Sequence, residues 1–314
     1  MRTQDTVCFT LNKKKTFRQI IARDWELYLL ALPAVFLIFV FCYMPMYGII
    51  IAFQDYIPAR GITGSTWVGF KHFRMFFNDP YFLRIFKNTI LLGLYSLIFG
   101  FPAPILFALL INELNNGPMK RTVQTISYMP YFISTVIVIG LMKELFGLSS
   151  GIINDLLEAL NMERINFFDK AQWFRALYIG SGIWQGIGFS SIIYLAAISG
   201  VNPELYESAI IDGAGRYRQA VSITLPSIAS TVQILFIFAV GGILGSDFQK
   251  ILLMYSPTTY ETADVISTYV FRKGILGGQF SYSTAVGHFL AIISLGLIIL
   301  TNYTNKKLGA DTLY

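Results

Sequence analysis

The reading turns on residues 207–226, ESAIIDGAGRYRQAVSITLP, which lie between two apolar segments long enough to cross a bilayer. Just ahead of them, Asn202 can accept from the first free N–H groups of a helix, and Pro203 suits the first helical position. Glu204 and Glu207 then sit near the positive helix end. Leu205, Tyr206, Ala209 and Ile210 share one face at i, i+3 and i, i+4 spacing. Gly213 can stop that helix by taking φ > 0. A second short helix runs towards Thr224, Leu225 and Pro226, with Pro226 suited to the start of the next membrane helix. The pattern predicts a helix–turn–helix held flat under the membrane, with an exposed face able to fit a groove.

The rest of the chain is built for lipid. Of 314 residues, 54% are hydrophobic and 13% charged, against about 25% charged in an ordinary globular domain. That marks an integral membrane protein. The net charge of +6 reflects basic residues flanking membrane spans, so no nucleic-acid partner is expected. Cys8 and Cys42 are the only cysteines, one in the tail and one in an apolar run, and give neither a disulfide framework nor a zinc site. His72 and His288 stand isolated, with no HExxH and no nearby carboxylate pattern. No metal site is expected, and His288 reads as a hydrogen bonder between helices.

In chain order, a polar, basic segment (1–26) leads into an apolar run at 27–53, too long for a signal-peptide core and read as a retained signal anchor and first span. Runs at 88–111, 122–142, 176–199, 227–246 and 283–303 follow. None of the six contains Asp, Glu, Lys or Arg, and each meets the length of roughly 20 residues a span needs. The expectation is an all-α membrane protein of six transmembrane helices: a membrane domain over 27–304, including an inner loop at 200–226, and a short tail at 305–314. Lys13, Lys14 and Lys15 ahead of the first span place the N-terminus in the cytoplasm, and six crossings return the C-terminus there. The 207–226 loop is then cytoplasmic as well.

Pro33 and Pro45 interrupt the first span, Pro102 and Pro104 the second, and Pro130 the third; such breaks are tolerated where neighbours or a wet cavity satisfy the freed carbonyls. Gly182 and Gly186, and Gly241 and Gly245, have GxxxG spacing for close helix contact. The first outer loop carries Trp67, Phe70, Phe73, Phe76, Phe77, Tyr81 and Phe82, an interfacial belt or a surface amphipathic helix. The third, 249–282, is polar and could touch a docked partner or an entering solute.

The 207–226 stretch resembles the cytoplasmic "EAA" loop of permease subunits in binding-protein-dependent ABC importers. Glu207, Ala209, Asp212, Gly213, Ala214, Ile223, Leu225 and Pro226 match that pattern in register, while Ser208 replaces an Ala and Ala220 a Phe. DWELYLLALP, YMPMYGIIIAFQDY, WVGFKHF, Asn88-Thr89, SLIFGFPAPI and KRTVQTISYMPYFIS are similar to the branch that imports oligosaccharides from complex polysaccharides such as alginate or pectin fragments. The resemblance spans essentially 24–304. It implies a type I importer (MetI-like) fold in a bacterial cytoplasmic membrane, a second similar permease subunit, two ATP-hydrolysing subunits beneath, and an extracytoplasmic solute-binding protein that delivers the sugar. It makes the first short helix of the loop a coupling helix seated in the ATPase: Glu207 and Asp212 anchor it, Gly213 makes the turn with Ala214 following, and Tyr206, Ala209 and Ile210 fill the contact.

The residues fit that division of labour. No GxxxxGK[ST] phosphate loop occurs, so Mg-ATP belongs to partner subunits and this chain is no enzyme and needs no cofactor. The rival reading, an ion-coupled secondary sugar carrier acting as a dimer, lacks the intramembrane carboxylates such carriers use. A sugar pathway calls for aromatic faces and amides or hydroxyls; the candidates in the spans are Tyr95, Tyr131, Trp184, Gln185, Ser190 and Tyr194. For a uronate, cations would have to lie at the mouths of the pathway or on the partner permease.

Overall fold

The computed structural model describes residues 23–307; the basic tail, Cys8 and the last seven residues lie outside the described residues. The chain divides into two compact units, Met1–Ile50 and Ile51–Tyr314. The first is dominated by α1 (Trp25–Phe53), which is α-helical over Trp25–Ile38, widens to a π turn at Phe39–Tyr43 and tightens to 3-10 across Met44–Phe53. Pro45 follows the π turn; lacking an N–H, it cannot continue the regular ladder, so the pitch changes there. Leu30 and Phe41 stand 80% and 71% exposed. A helix apolar on every side suits a membrane span or the core of a large protein.

Among the described residues, four helices are long and apolar enough to cross a membrane singly: α1, α3 (Phe82–Asn112), α7 (Ala171–Ser199) and α14 (Phe280–Lys307). Two bent pairs bring the number to six: α4 with α5 (Pro118–Phe132, Thr135–Leu145), bent by 101°, and α9 with α10 (Arg216–Ser227, Ala229–Gly241), bent by 68°. The expected continuous span at 122–142 is therefore broken. Pro130 removes an N–H, Ile133 and Ser134 are extended, and Ser134 caps the new helix by accepting from the Ile137 N–H. The expected span at 227–246 is likewise corrected. The bend falls at Ile228, so Pro226 closes the preceding segment, and Ala229 opens the membrane helix, which ends at Gly241.

In the expected first outer loop, β1 (Gln54–Asp55) and β2 (Thr66–Trp67) pair antiparallel, Gln54 opposite Trp67. The short helix α2 (Lys71–Phe77) follows. Its His72 is not isolated, because the hairpin brings Asp55 Oδ1 to 3.0 Å from its Nε2. Trp67, Phe70 and Phe73 gather around Phe53 at the surface, whereas Phe76 is buried against Phe82, Tyr282 and Phe289. The second outer loop carries α6 (Ile152–Ala159), whose buried Asn154 donates to the carbonyls of Phe146, Gly147 and Ile165.

The polar third loop is folded into short helices, α11 (Phe248–Met254), α12 (Tyr260–Ala263) and α13 (Ile266–Val270). Asn88-Thr89 of α3 is what clamps it. The Asn88 amide donates to the carbonyls of Glu261 (2.9 Å) and Asp264 (3.0 Å) and accepts from Arg175 of α7 at 2.9 Å, and Thr89 accepts from the Ile266 N–H. Asp264, fully buried, is held bidentately by Arg272 at 2.9 and 2.8 Å. Apolar contacts between Leu92, Val138, Phe174, Leu177, Ile251 and Val265 fill the space beneath.

A second polar knot sits beside it. Asp79 accepts from Lys273, from Tyr269 at 2.6 Å and from Tyr282 at 3.3 Å. Burial raises its pKa, but Lys273 and Tyr269 outweigh this and hold the carboxyl below the usual carboxylate range. Its contribution is therefore complete above the unfolded value of about 3.9 and fades as acid protonates the folded form.

Two measurements check these clamps. Asn88→Leu strips two buried carbonyls of their donors, each loss worth about 1–3 kcal/mol, and should lower the thermal midpoint in detergent by several degrees; an unchanged midpoint would refute the clamp. Asp79→Asn should lower the midpoint at pH 7, with the gap to the native protein narrowing below about pH 4.

Candidate functional site

The inner loop is built by local rules. Asn202 Oδ1 accepts from the Glu204 N–H at 3.1 Å and Pro203 takes the first position of α8 (Pro203–Ile211). Gly213 then adopts φ +76°. The Ala214 N–H reaches the Ala209 carbonyl at 2.8 Å and the Gly213 N–H the Ile210 carbonyl at 3.0 Å, the paired bonds of a Schellman closure. Any side chain at 213 would strain this backbone. Past the turn, α9 starts at Arg216 and widens to π over Ala220–Thr224, where the following Pro226 offers no N–H to the Ser222 carbonyl.

Two contacts hold the two short helices as one piece, and a third ties them to Glu113. Tyr206 Oη lies 2.9 Å from the Oγ1 of the buried Thr224, Gln219 donates to the Ala214 carbonyl at 2.7 Å, and Arg216 sits 3.7 Å from Glu113 of the first inner loop. Tyr206 and Ala209 are thus half-buried and face their own chain, while Glu207, Ile210, Asp212 and Gly213 are exposed. The most exposed apolar groups of the loop are Ile211 and Tyr217, at 86% and 84%. The sequence pattern had not singled these two out, since neither lies on the apolar stripe that begins at Leu205.

A cavity of about 610 Å³ opens between α3, the break joining α4 to α5, α7 and the start of α11. The π turn at Ser96–Gly100, just ahead of Pro102, forms one wall. Ile133 and Ser134 form another, and Gln185 of α7 donates to the Ile133 carbonyl that the break sets free, at 2.8 Å. Tyr131 stacks flat on Phe189, with centroids 4.0 Å apart and planes 5° apart.

Of the expected pathway residues, Tyr131, Gln185 and Ser190 line this cavity; Tyr95, Trp184 and Tyr194 do not. Trp184 is half exposed elsewhere on α7, and Tyr194 is buried against Ile105, Ala108 and Ile228. Gly182 and Gly186 also line the cavity and do not bring helices into close contact: a Cβ at Gly186 would meet nothing within 4 Å. Gly241 does pack closely, against Ile298 of α14. The close approaches that the glycine spacing missed are Gly188 against the Ser127 carbonyl and Gly93 against the Ile243 carbonyl. His288 Nε2 has no hydrogen-bond partner, so its expected role between helices is not realised.

One cation reaches the cavity, and it comes from the third outer loop. Lys250, on α11 beyond the fifth span, is buried, with Nζ 2.7 Å from the Tyr178 carbonyl and 4.7 Å from the Tyr178 ring centroid. Asp247 caps α11 by accepting from the Lys250 N–H at 3.0 Å, and its own N–H donates to Tyr178 Oη at 3.0 Å. Burial draws the Lys250 pKa down to about 8, with Asp247 opposing the shift, and the amine remains mainly charged at pH 7.

The family described as "Binding-protein-dependent transport system inner membrane component" matches residues 86–310. The chain belongs to that family. As such it is a permease component of binding-protein-dependent import, a transport protein and not an enzyme, carried in a membrane by several apolar helices. It is 46% identical over 310 residues to the polygalacturonan/rhamnogalacturonan transport system permease protein YteP of Bacillus subtilis, covering 99% of this chain and 97% of that one. It is 40% identical over 313 residues to LplB of the same organism, covering 100% of this chain and 98% of that one. A crystallised bacterial alginate ABC transporter, in complex with its alginate pentasaccharide-bound periplasmic protein, contains a chain that superposes on this permease with TM-score 0.86. The two are 43% identical over 94% of this chain and 98% of that one.

The glycines of α7 offer a contrasting pair of tests. A Cβ at Gly188 would stand 2.1 Å from the Ser127 carbonyl oxygen, so Gly188→Ala should push α4 away and lower the thermal midpoint. Gly186→Ala should leave it unchanged. Equal effects would refute the packing assigned to both.

Proposed function

We propose that this permease forms half of the translocation pathway of an ATP-driven oligosaccharide importer in a bacterial cytoplasmic membrane, with both termini and the 207–226 loop on the cytoplasmic side. A second, similar permease completes the pathway, two ATPase subunits bind beneath, and an extracytoplasmic solute-binding protein hands the sugar to the outer face. The relatives named for polygalacturonan, rhamnogalacturonan and alginate support an oligosaccharide as cargo. The single observation that carries the mechanism is the braced inner loop, with Ile210, Ile211 and Tyr217 standing out from it.

Among the described residues these apolar groups have no neighbour that covers them, and they sit on a surface closed by its own hydrogen bonds. They suit a partner cleft. Glu207 at the first helix and Asp212 at its end would hold polar groups of the ATPase, and Gly213 keeps the turn tight. No residue here binds ATP. Closure of the ATPase pair would displace the loop as a piece, and α10, which follows it directly, would carry that displacement towards the helices around the cavity. In the cavity, the Tyr131 face, the Gln185 amide and the Ser190 hydroxyl supply the stacking and hydrogen bonding a sugar needs.

The test is ATPase activity of the assembled complex with sugar-loaded binding protein. Native complex should be stimulated, and Glu207→Ala, Gly213→Pro and Ile211→Asp should each suppress the stimulation while the permease pair still assembles. Stimulation that survives all three changes would remove the loop as the coupling element.

A further inference from the structure

The cavity contains two charged side chains among the described residues, Lys250 and Asp247. They are not equivalent. Asp247 is exposed and its Oδ1 is engaged by the Lys250 backbone N–H as the cap of α11. Lys250 is 5% exposed, its Nζ donates to one backbone carbonyl, and no carboxylate among the described residues comes within ion-pair distance of it. An ammonium has three N–H donors, so two remain for something other than Tyr178.

Even with the Tyr178 ring 4.7 Å from Nζ and Asp247 favouring the charge from beyond ion-pair distance, a buried cation is an expensive way to satisfy one carbonyl. A glutamine or asparagine could tie α11 to α7 without removing a charge from water. What the charge adds is attraction for an anion, and in the enclosed wall of a cavity that attraction is far stronger than at a surface. The surroundings leave room for one. Gly182, one turn along α7 from Tyr178, has no side chain, and a Cβ there would stand 3.1 Å from Nζ. The cavity wall also carries an aromatic face at Tyr131 and an amide at Gln185, neither of which distinguishes an acidic sugar from a neutral one.

We infer that Lys250 is the residue of this permease that recognises the carboxylate of an acidic sugar unit as it crosses the membrane, making the cavity selective for uronate-containing oligosaccharides. The inference rests on the oligosaccharide-importer reading and assigns its charge preference to one side chain. The sugar carboxylate takes the free N–H groups of Nζ, the Tyr178 carbonyl keeps the third, and the open Cα of Gly182 lets the sugar approach. The third outer loop thereby supplies the cation that the spans lack.

The test uses the complete importer in lipid vesicles with its solute-binding protein, comparing an oligogalacturonate with its fully methyl-esterified, neutral counterpart at matched occupancy of the binding protein. Sugar uptake and ATP hydrolysis are measured separately. Lys250→Gln should lower uptake of the free acid about tenfold, the scale of one charge-assisted hydrogen bond, with uptake of the ester, and the ATP hydrolysis that the ester-loaded binding protein stimulates, affected far less. Lys250→Arg should retain most of the acid uptake. Should Lys250→Gln fail to assemble, Gly182→Ala, which crowds Nζ without removing it, should reduce acid uptake selectively by a few fold.

Equal uptake of both sugars by Lys250→Gln at native rates would overturn the proposal. So would equal loss of both, which is the signature of a purely structural lysine. A native complex that moves neither sugar would overturn the oligosaccharide reading and this inference together, whereas native transport of the ester in preference to the acid would overturn this inference alone.

Discussion

A backbone carbonyl left without a donor in hydrocarbon costs several kcal/mol, and no water is there to relieve it. The architecture depends on how this chain meets that constraint. Regular helices need no help, so the places where the ladder fails are where the structure has to be specific. The π turn ahead of Pro102 and the break after Pro130 both fall on the cavity wall, and at the second of them Gln185 supplies the missing donor to Ile133. Irregular backbone is kept where a polar neighbour or the cavity itself can satisfy it, and the cavity exists because the backbone is irregular there.

The outer side solves a related problem with side chains. The third outer loop has many short helices and therefore many unpaired helix ends, and Asn88 and Thr89 meet several of those needs from fixed positions, while Arg272 neutralises the buried Asp264 carboxylate. Because Asn88 also accepts from Arg175 on α7, one amide joins α3, α7 and the loop. That fixed frame holds Asp247 and Lys250 at the mouth of the cavity.

Much of this was legible in the sequence where the cause is local. The cap at Asn202, the stop at Gly213 and four of the six apolar spans depend on neighbours a few residues away, and they appear as read, whereas the spans expected at 122–142 and 227–246 are bent. The parts that were not legible depend on distant partners or on helical phase. Trp184 and Gln185 look like a natural pair, but Trp184 lies two residues from Gly186, about 200° around the helix, and faces away from the cavity. Tyr194 is about two turns further on and meets Ile105 and Ala108 of α3 instead. GxxxG spacing pointed to Gly182 and Gly186, whereas Gly188 makes the close approach, because the position of α4 decides which side of α7 must be bare. Lys250 was hidden for another reason: in a polar loop a lysine attracts no notice until the loop is seen to fold inward.

The bonds from Tyr206 to Thr224 and from Gln219 to Ala214 have one more consequence. They make the inner loop stiff before anything touches it. A slack segment would have to be ordered each time it was gripped and would absorb part of any push as bending. A braced one has no such slack, so its stroke is set by its own dimensions and repeats from one cycle to the next.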